Sequence, residues 1–218
     1  MRINQYIATA SGISRRAADR AIIAGRVYIN DRVATVGQLV EDSHVIKFDG
    51  EELTLPHQTT TLIMNKPVGY VCSREGQGSR TIYDLMPVEF YRLKSVGRLD
   101  KDSSGLLLLT DDGQLANRLT HPSFAKQKIY TVTLNHPLKG DDHRKIEHGV
   151  TLEDGDSAFK LKKLNDDTSW EITMHEGRNR QIRRTFAKLG YDTLALKRLS
   201  FGDYFLNDLA VGSFKIVD

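Results

Sequence analysis

Asp100 has the setting of a reactive carboxylate. It lies in Gly97-Arg98-Leu99-Asp100-Lys101-Asp102-Ser103-Ser104-Gly105, directly ahead of Leu106-Leu107-Leu108-Leu109. Such a leucine run suits a buried strand, and a polar segment on the edge of a rigid strand can aim a carboxylate. A turn whose Asp and Ser side chains bond their own backbone accounts for the same pattern. A second reactive stretch is His175-Glu176-Gly177-Arg178-Asn179-Arg180-Gln181-Ile182-Arg183-Arg184-Thr185-Phe186-Ala187-Lys188-Leu189, with five cations from Arg178 to Lys188 and no acid between them. On a helical projection Ile182, Phe186 and Leu189 form one stripe and Arg180, Arg184 and Lys188 lie roughly opposite. Arg183 falls on the flank, where a guanidinium can turn inward to a carboxylate, whereas those opposite are free to meet phosphates. A solvated basic face is the plainer reading. Tyr130, after Gln127-Lys128-Ile129, offers a ring for stacking or an ordinary core edge. Asn65-Lys66-Pro67-Val68-Gly69-Tyr70 reads as a turn after a strand.

Other chemistries lack their residues. The seven histidines include no H-E-x-x-H, and Cys72 is the single cysteine, so neither a zinc site nor an intrachain disulfide is expected. Gly76 and Gly78 belong to neither a Walker motif nor a G-x-G-x-x-G, so no nucleotide cofactor is expected. Asp100, Asp102, Asp111 and Asp112 read as solvated or capping residues rather than a magnesium cluster, with Asp112 as a helix N-cap. The expectation is no metal and no cofactor.

Several elements must position these groups. The chain has 218 residues and a net charge of +3, too mild for the total to argue for a polyanionic partner. No apolar run approaches a membrane span, and Met1-Arg2-Ile3-Asn4-Gln5-Tyr6 carries no secretory pattern, so a soluble cytoplasmic protein is expected. Ser14 as N-cap and Gly25 as C′ residue bracket a helix with Ala17, Ala21 and Ile22 on one face and Arg16 and Arg20 on another. Val27–Asn30 and His44–Phe48 are strand-like, with turns at Gly37 and Asp49-Gly50. Periodicity lapses between Glu51 and Thr61. Beyond it, strands are expected at Leu62–Met64, Tyr70–Cys72, Leu106–Leu109, Tyr130–Leu134 and Trp170–Met174, and helices over 112–120 and 179–189. That is an α+β fold with a mostly antiparallel sheet.

Taken together, Asn65-Lys66-Pro67-Val68-Gly69, Gly97-Arg98-Leu99-Asp100 running on to Gly105-Leu106-Leu107-Leu108-Leu109-Thr110-Asp111-Asp112-Gly113, Lys128-Ile129-Tyr130 and Glu176-Gly177-Arg178-Asn179-Arg180-Gln181-Ile182-Arg183-Arg184 resemble the pseudouridine synthases of the A and B type that act on small- and large-subunit ribosomal RNA. Residues 1 to about 50 resemble the small α/β RNA-binding domain first seen in ribosomal protein S-four. The resemblance implies domains at 1–55 and 62–218, a linker at 56–61, and isomerisation of a uridine in ribosomal RNA without a cofactor. It makes Asp100 the catalytic aspartate, Tyr130 the ring stacked on the base, Arg183 the partner of Asp100, and Leu199 a base-pocket residue. Arg15, Arg16, Arg20, Arg98, Lys128, Arg178, Arg180 and Arg184 become RNA contacts, with Arg98 at the mouth where the uridine leaves its helix. Ser103 replaces the family's usual Thr, and Gln127 replaces an acid. The 115–123 and 148–155 stretches look most like members acting on 23S rRNA, with 16S enzymes next. Naked RNA or an assembly intermediate is the expected substrate, a monomer the expected state, and a non-catalytic RNA-binding assembly factor the competing reading.

Overall fold

Small side chains let two short helices approach closely in residues 1–59, one of two compact units of the computed structural model, which describes residues 1–56 and 58–217. Helix α1 (Ile3–Ser11) buries Ile3 and Ile7, and α2 (Arg15–Ile23) buries Ala18, Ala21 and Ile22. The Ser14 hydroxyl accepts the Ala17 N–H at 3.1 Å, and Gly25 takes the left-handed conformation expected of it. Ala18 rather than Ala17 faces the core. The sequence reading passed over α1, whose first turn has no side-chain cap. Strands β1 (Val27–Ile29), β2 (Arg32–Val33), β3 (Ile46–Phe48) and β4 (Glu51–Leu53) form an antiparallel sheet in the order β2-β1-β3-β4. Asp49 and Gly50, both at positive φ, make the two-residue turn between β3 and β4. His57, inside the stretch read as a linker, and the terminal Asp218 lie outside the described residues.

Residues 60–217 are built on one large sheet. Its strands are β5 (Thr61–Lys66), β6 (Lys94–Val96), β7 (Ser104–Thr110), β8 (Lys128–Leu134), β11 (Lys160–Lys163), β12 (Ser169–Met174), β13 (Thr193–Phe201), β14 (Tyr204–Phe205) and β15 (Phe214–Val217). The path runs β11-β12-β8-β13-β7-β5-β15, with β14 on β13 and β6 on β7. Every pairing is antiparallel except β13 with β7. A two-stranded ribbon, β9 (Val150–Leu152) with β10 (Gly155–Ser157), stands apart, and the helices are α3 (Gly113–Thr120), α4 (Gly140–His148) and α5 (Gln181–Lys188). The fold is α+β with a mostly antiparallel sheet.

The leucine run behaves as its pattern requires. Leu106 to Leu109 are all fully buried, because Leu107 and Leu109 enter the core on one face of β7 while Leu106 and Leu108 enter a second on the other. Asp112 caps α3, accepting the Gln114 and Leu115 N–H groups. Two expectations need correction. Tyr70–Cys72 forms only an isolated bridge, Val71 to Thr81, because Val71 alone exchanges backbone bonds there, with Arg80 and Ile82, before 82–85 turns into a short helix. Helix α5 starts at Gln181, not Asn179, because Arg180 sits in the left-handed region at φ 46° and breaks the helical path. Among the described residues no helix is long and apolar enough to cross a membrane.

Gly105 is where β7 meets β13. An added Cβ would fall 2.2 Å from the Arg198 carbonyl oxygen, and its φ of +99° already disfavours any side chain. Gly105→Ala should therefore destabilise the chain by about 3 kcal/mol or more in urea denaturation. Gly140→Ala, where an added Cβ has nothing within 4 Å, should change stability by about 1 kcal/mol or less. Similar behaviour of the two variants would refute this packing.

Candidate active site

Asp100 sits in the loop joining β6 to β7, and an ion buried beneath that loop fixes its backbone. Lys66, the last residue of β5, is fully buried. Its Nζ donates to the carbonyls of Ser103 at 2.7 Å, Asp100 at 3.0 Å and Pro67 at 3.0 Å. Three donors meet three acceptors, which offsets part of the cost of burying the charge; burial lowers the Lys66 pKa. The Gly69 N–H adds a bond to the Lys101 carbonyl at 2.7 Å, and the Cys72 sulfur holds Leu99. The stretch that read as a plain turn, Lys66 to Gly69, thus clamps the loop.

The clamped loop forms one wall of an open cleft of about 1490 Å³. Asp100, Tyr130, Arg98, Arg180, Leu196 and Arg198 are among its lining residues. Arg98 is exposed, whereas Tyr130 is buried to 7 % exposure on β8. Lys128 is half-buried: its Nζ lies 5.0 Å from the centre of the Phe201 ring and donates to the carbonyls of His175 and Glu176. Burial lowers its pKa, with the nearby Arg198 charge adding to the effect.

The arginines are arranged differently from the sequence reading. Arg183 donates to the Asp102 carbonyl at 2.7 Å and the Thr193 carbonyl at 2.8 Å, and its Nε lies 3.4 Å from the Asp102 carboxylate. No hydrogen bond joins it to Asp100; the nearest guanidinium is that of Arg180, at 3.8 Å. Arg180 grips Asp102 with both terminal nitrogens, at 2.9 and 2.8 Å. This bond lowers the Asp102 pKa, while burial lowers that of Arg183. Arg178 and Arg184 are not free either. Arg178 donates to the carbonyls of Asp154, Gly155 and Asp156, and Arg184 makes a two-pronged pair with the Asp154 carboxylate at 2.9 and 2.7 Å. The acids come from other parts of the chain, so the local run of cations gave no sign of them. By contrast, Arg15, Arg16 and Arg20 on α2 are exposed, and no ion pair engages them among the described residues.

Leu199 also needs correction. A bulge falls between Arg198 and Ser200 in the pairing of β13 with β8. Leu196 and Phe201 line the cleft, and Leu199 does not. The residues missed by the sequence reading are Lys66, Asp102 and Arg198. Among the described residues no group of three or more His, Cys, Asp or Glu is arranged to hold a metal ion.

The family model described as RNA pseudouridylate synthase matches residues 60–188, and the S4 domain model matches residues 1–46. The chain belongs to the RNA pseudouridylate synthase family. It is 36 % identical to the ribosomal large subunit pseudouridine synthase B of Vibrio cholerae, over 94 % of this chain and 68 % of that protein. It is equally 36 % identical to the ribosomal small subunit pseudouridine synthase A of Yersinia pestis, over 99 % of this chain and 94 % of that one. A crystal structure of a pseudouridylate synthase superposes with a TM-score of 0.72 at 34 % identity, covering 100 % of this chain and 96 % of its own.

The Asp102–Arg180 pair carries a pH signature. Because the folded-state pKa of Asp102 is depressed, the pair stabilises above the ordinary carboxylate range and is lost as pH falls through the folded value. Asp102→Asn should therefore cost about 0.5 kcal/mol at pH 7, a value already discounted for solvent screening. Urea denaturation should show that difference closing below about pH 4; a gap that persists in acid would contradict the assignment.

Proposed function

We propose that this protein isomerises uridine to pseudouridine in ribosomal RNA, with Asp100 as the reacting carboxylate. The observation that carries this is the pinned Asp100 loop facing the same cleft as the Tyr130 ring. The reaction breaks the N1–C1′ bond, turns the uracil and forms C5–C1′; C5 loses a proton and N1 gains one, with no change of oxidation state. An ionised carboxylate can attack or stabilise C1′. Tyr130 supplies a stacking face with a phenol beside it. Arg183 acts on Asp100 indirectly, by holding the carbonyl of Asp102 in the same loop. A uridine in a duplex must first be extruded, at a cost of a few kcal/mol, with Arg98 at the mouth of the cleft.

RNA capture falls to Arg15, Arg16 and Arg20 in an N-terminal domain read as 1–55, ahead of a catalytic domain at 62–218. Arg178, Arg180 and Arg184 meet phosphates only by exchanging carboxylates for them. The 115–123 and 148–155 stretches favour 23S rRNA. The 16S reading is kept because the chain spans 94 % of an equally identical relative that is named for the small subunit. We read the protein as a cytoplasmic monomer acting on naked RNA or on an assembly intermediate.

Incubation with unmodified 23S and 16S rRNA, followed by carbodiimide mapping, should reveal a new pseudouridine in one of them. Asp100→Ala should abolish it, at least about a thousandfold in rate, with less than a tenfold loss of RNA affinity. An unchanged rate in that variant would defeat the proposal. Replacing Arg15, Arg16 and Arg20 together with Gln should flatten the salt dependence of RNA binding by about 2 in the log–log slope. An unaltered slope would place RNA capture elsewhere.

A further inference from the structure

Arg198 is a buried cation that the scheme above leaves without a task. It is 2 % exposed and lies on β13, paired with Tyr130 of β8 on one side and Gly105 of β7 on the other. Its Nε donates to the Leu106 carbonyl at 2.8 Å, and its guanidinium carbon lies 5.1 Å from the centre of the Phe201 ring. The remaining anomaly is Nη2, which is sealed from bulk solvent and has no acceptor among the described residues. A buried donor left without a partner is costly, so a guanidinium that lines a cleft with a donor unfilled marks where an acceptor from a ligand belongs.

Three observations say which acceptor. Arg198 lines the cleft together with Asp100 and Tyr130. Residues directly opposite on an antiparallel pair share a face, with Cβ atoms about 5 Å apart, so a ring seated on Tyr130 brings its edge to Arg198. A second unpartnered group, the Ser103 hydroxyl, belongs to a residue 1 % exposed that lines the same cleft, three positions after Asp100. With Asp100 at the sugar end of the base, the donor on the strand floor is left for the far edge, which in uracil carries O4.

Resting on the reading of this cleft as a uridine site, we propose that Arg198, with Ser103 of the same cleft, receives the O4 carbonyl of the extruded uracil and thereby selects uridine over cytidine. Cytosine carries an amine at that position, which would set donor against donor.

The test is binding of labelled single-stranded nonamers to the full chain, read by fluorescence anisotropy. The intact protein should bind oligouridylate about tenfold more tightly than oligocytidylate. Arg198→Met should erase that preference by weakening the uridine nonamer alone, since phosphate contacts are common to both. Arg198→Lys, which keeps a charge and donors, should retain part of it, and thermal unfolding checks that each variant is folded. A nonamer of 2-pyrimidinone nucleotides, which lack O4, tests the site without altering the protein and should bind the intact chain as weakly as oligocytidylate. Equal binding of uridine and cytidine nonamers, an unchanged preference in Arg198→Met, or tight binding of the O4-less nonamer would overturn the proposal. A base preference that depends on Arg198, in a protein that forms no pseudouridine, would leave the uracil site standing and remove the isomerase reading. Pseudouridine formation without any preference would do the reverse.

Discussion

The buried ammonium of Lys66 is the constraint on which the site depends. A charge without solvent must find a full set of partners, and the partners here are three backbone carbonyls, two of them in the Asp100 loop. Lys66 belongs to β5, which pairs along β7, and β7 begins where the loop ends. One side chain thus ties the end of β5, where it meets β7, to the backbone of Asp100. Gly105 completes the arrangement from the far side, because only a residue without Cβ lets β13 approach β7 closely enough to set Arg198 beside the strand that follows the Asp100 loop.

Charge balance within the cleft follows a second rule. Each arginine of the basic stretch is held by an acceptor from elsewhere: Arg180 and Arg183 by Asp102, Arg178 and Arg184 by the turn at Asp154. Paired in this way, they shape the wall without presenting a row of bare cations. The N-terminal unit differs, since the arginines of α2 are exposed and have no such partners among the described residues. One unit holds its arginines in fixed geometry and the other leaves those of α2 exposed.

Legibility in the sequence followed the range of the interactions. The capped helix α2, the Asp49-Gly50 turn, the leucine strand and the Asp112 cap all rest on contacts within a few residues, and each is where the local pattern put it. The family motifs likewise marked Asp100 and Tyr130, which line one cleft. What escaped notice depends on distant partners. Lys66 looks like part of a turn until its acceptors, 34 and 37 residues away, are known. Arg180 finds Asp102 across 78 residues, and its left-handed backbone removes it from the helix on which a projection had set it. Strand β13 was hidden because Lys197 and Arg198 interrupt its apolar pattern, and strand alternation gives the cleft Leu196 and Arg198 rather than Leu199.

The most direct test of this account is the rate of pseudouridine formation by Lys66→Met, a variant that keeps the volume of the side chain and removes its charge. The loop would lose the bonds that fix Asp100, and a displacement of about 1 Å at a reacting group costs roughly a hundredfold in rate. A folded Lys66→Met protein with turnover reduced by about that factor is the predicted result. A folded variant that turns over like the intact protein would contradict the claim that the buried ammonium places the carboxylate.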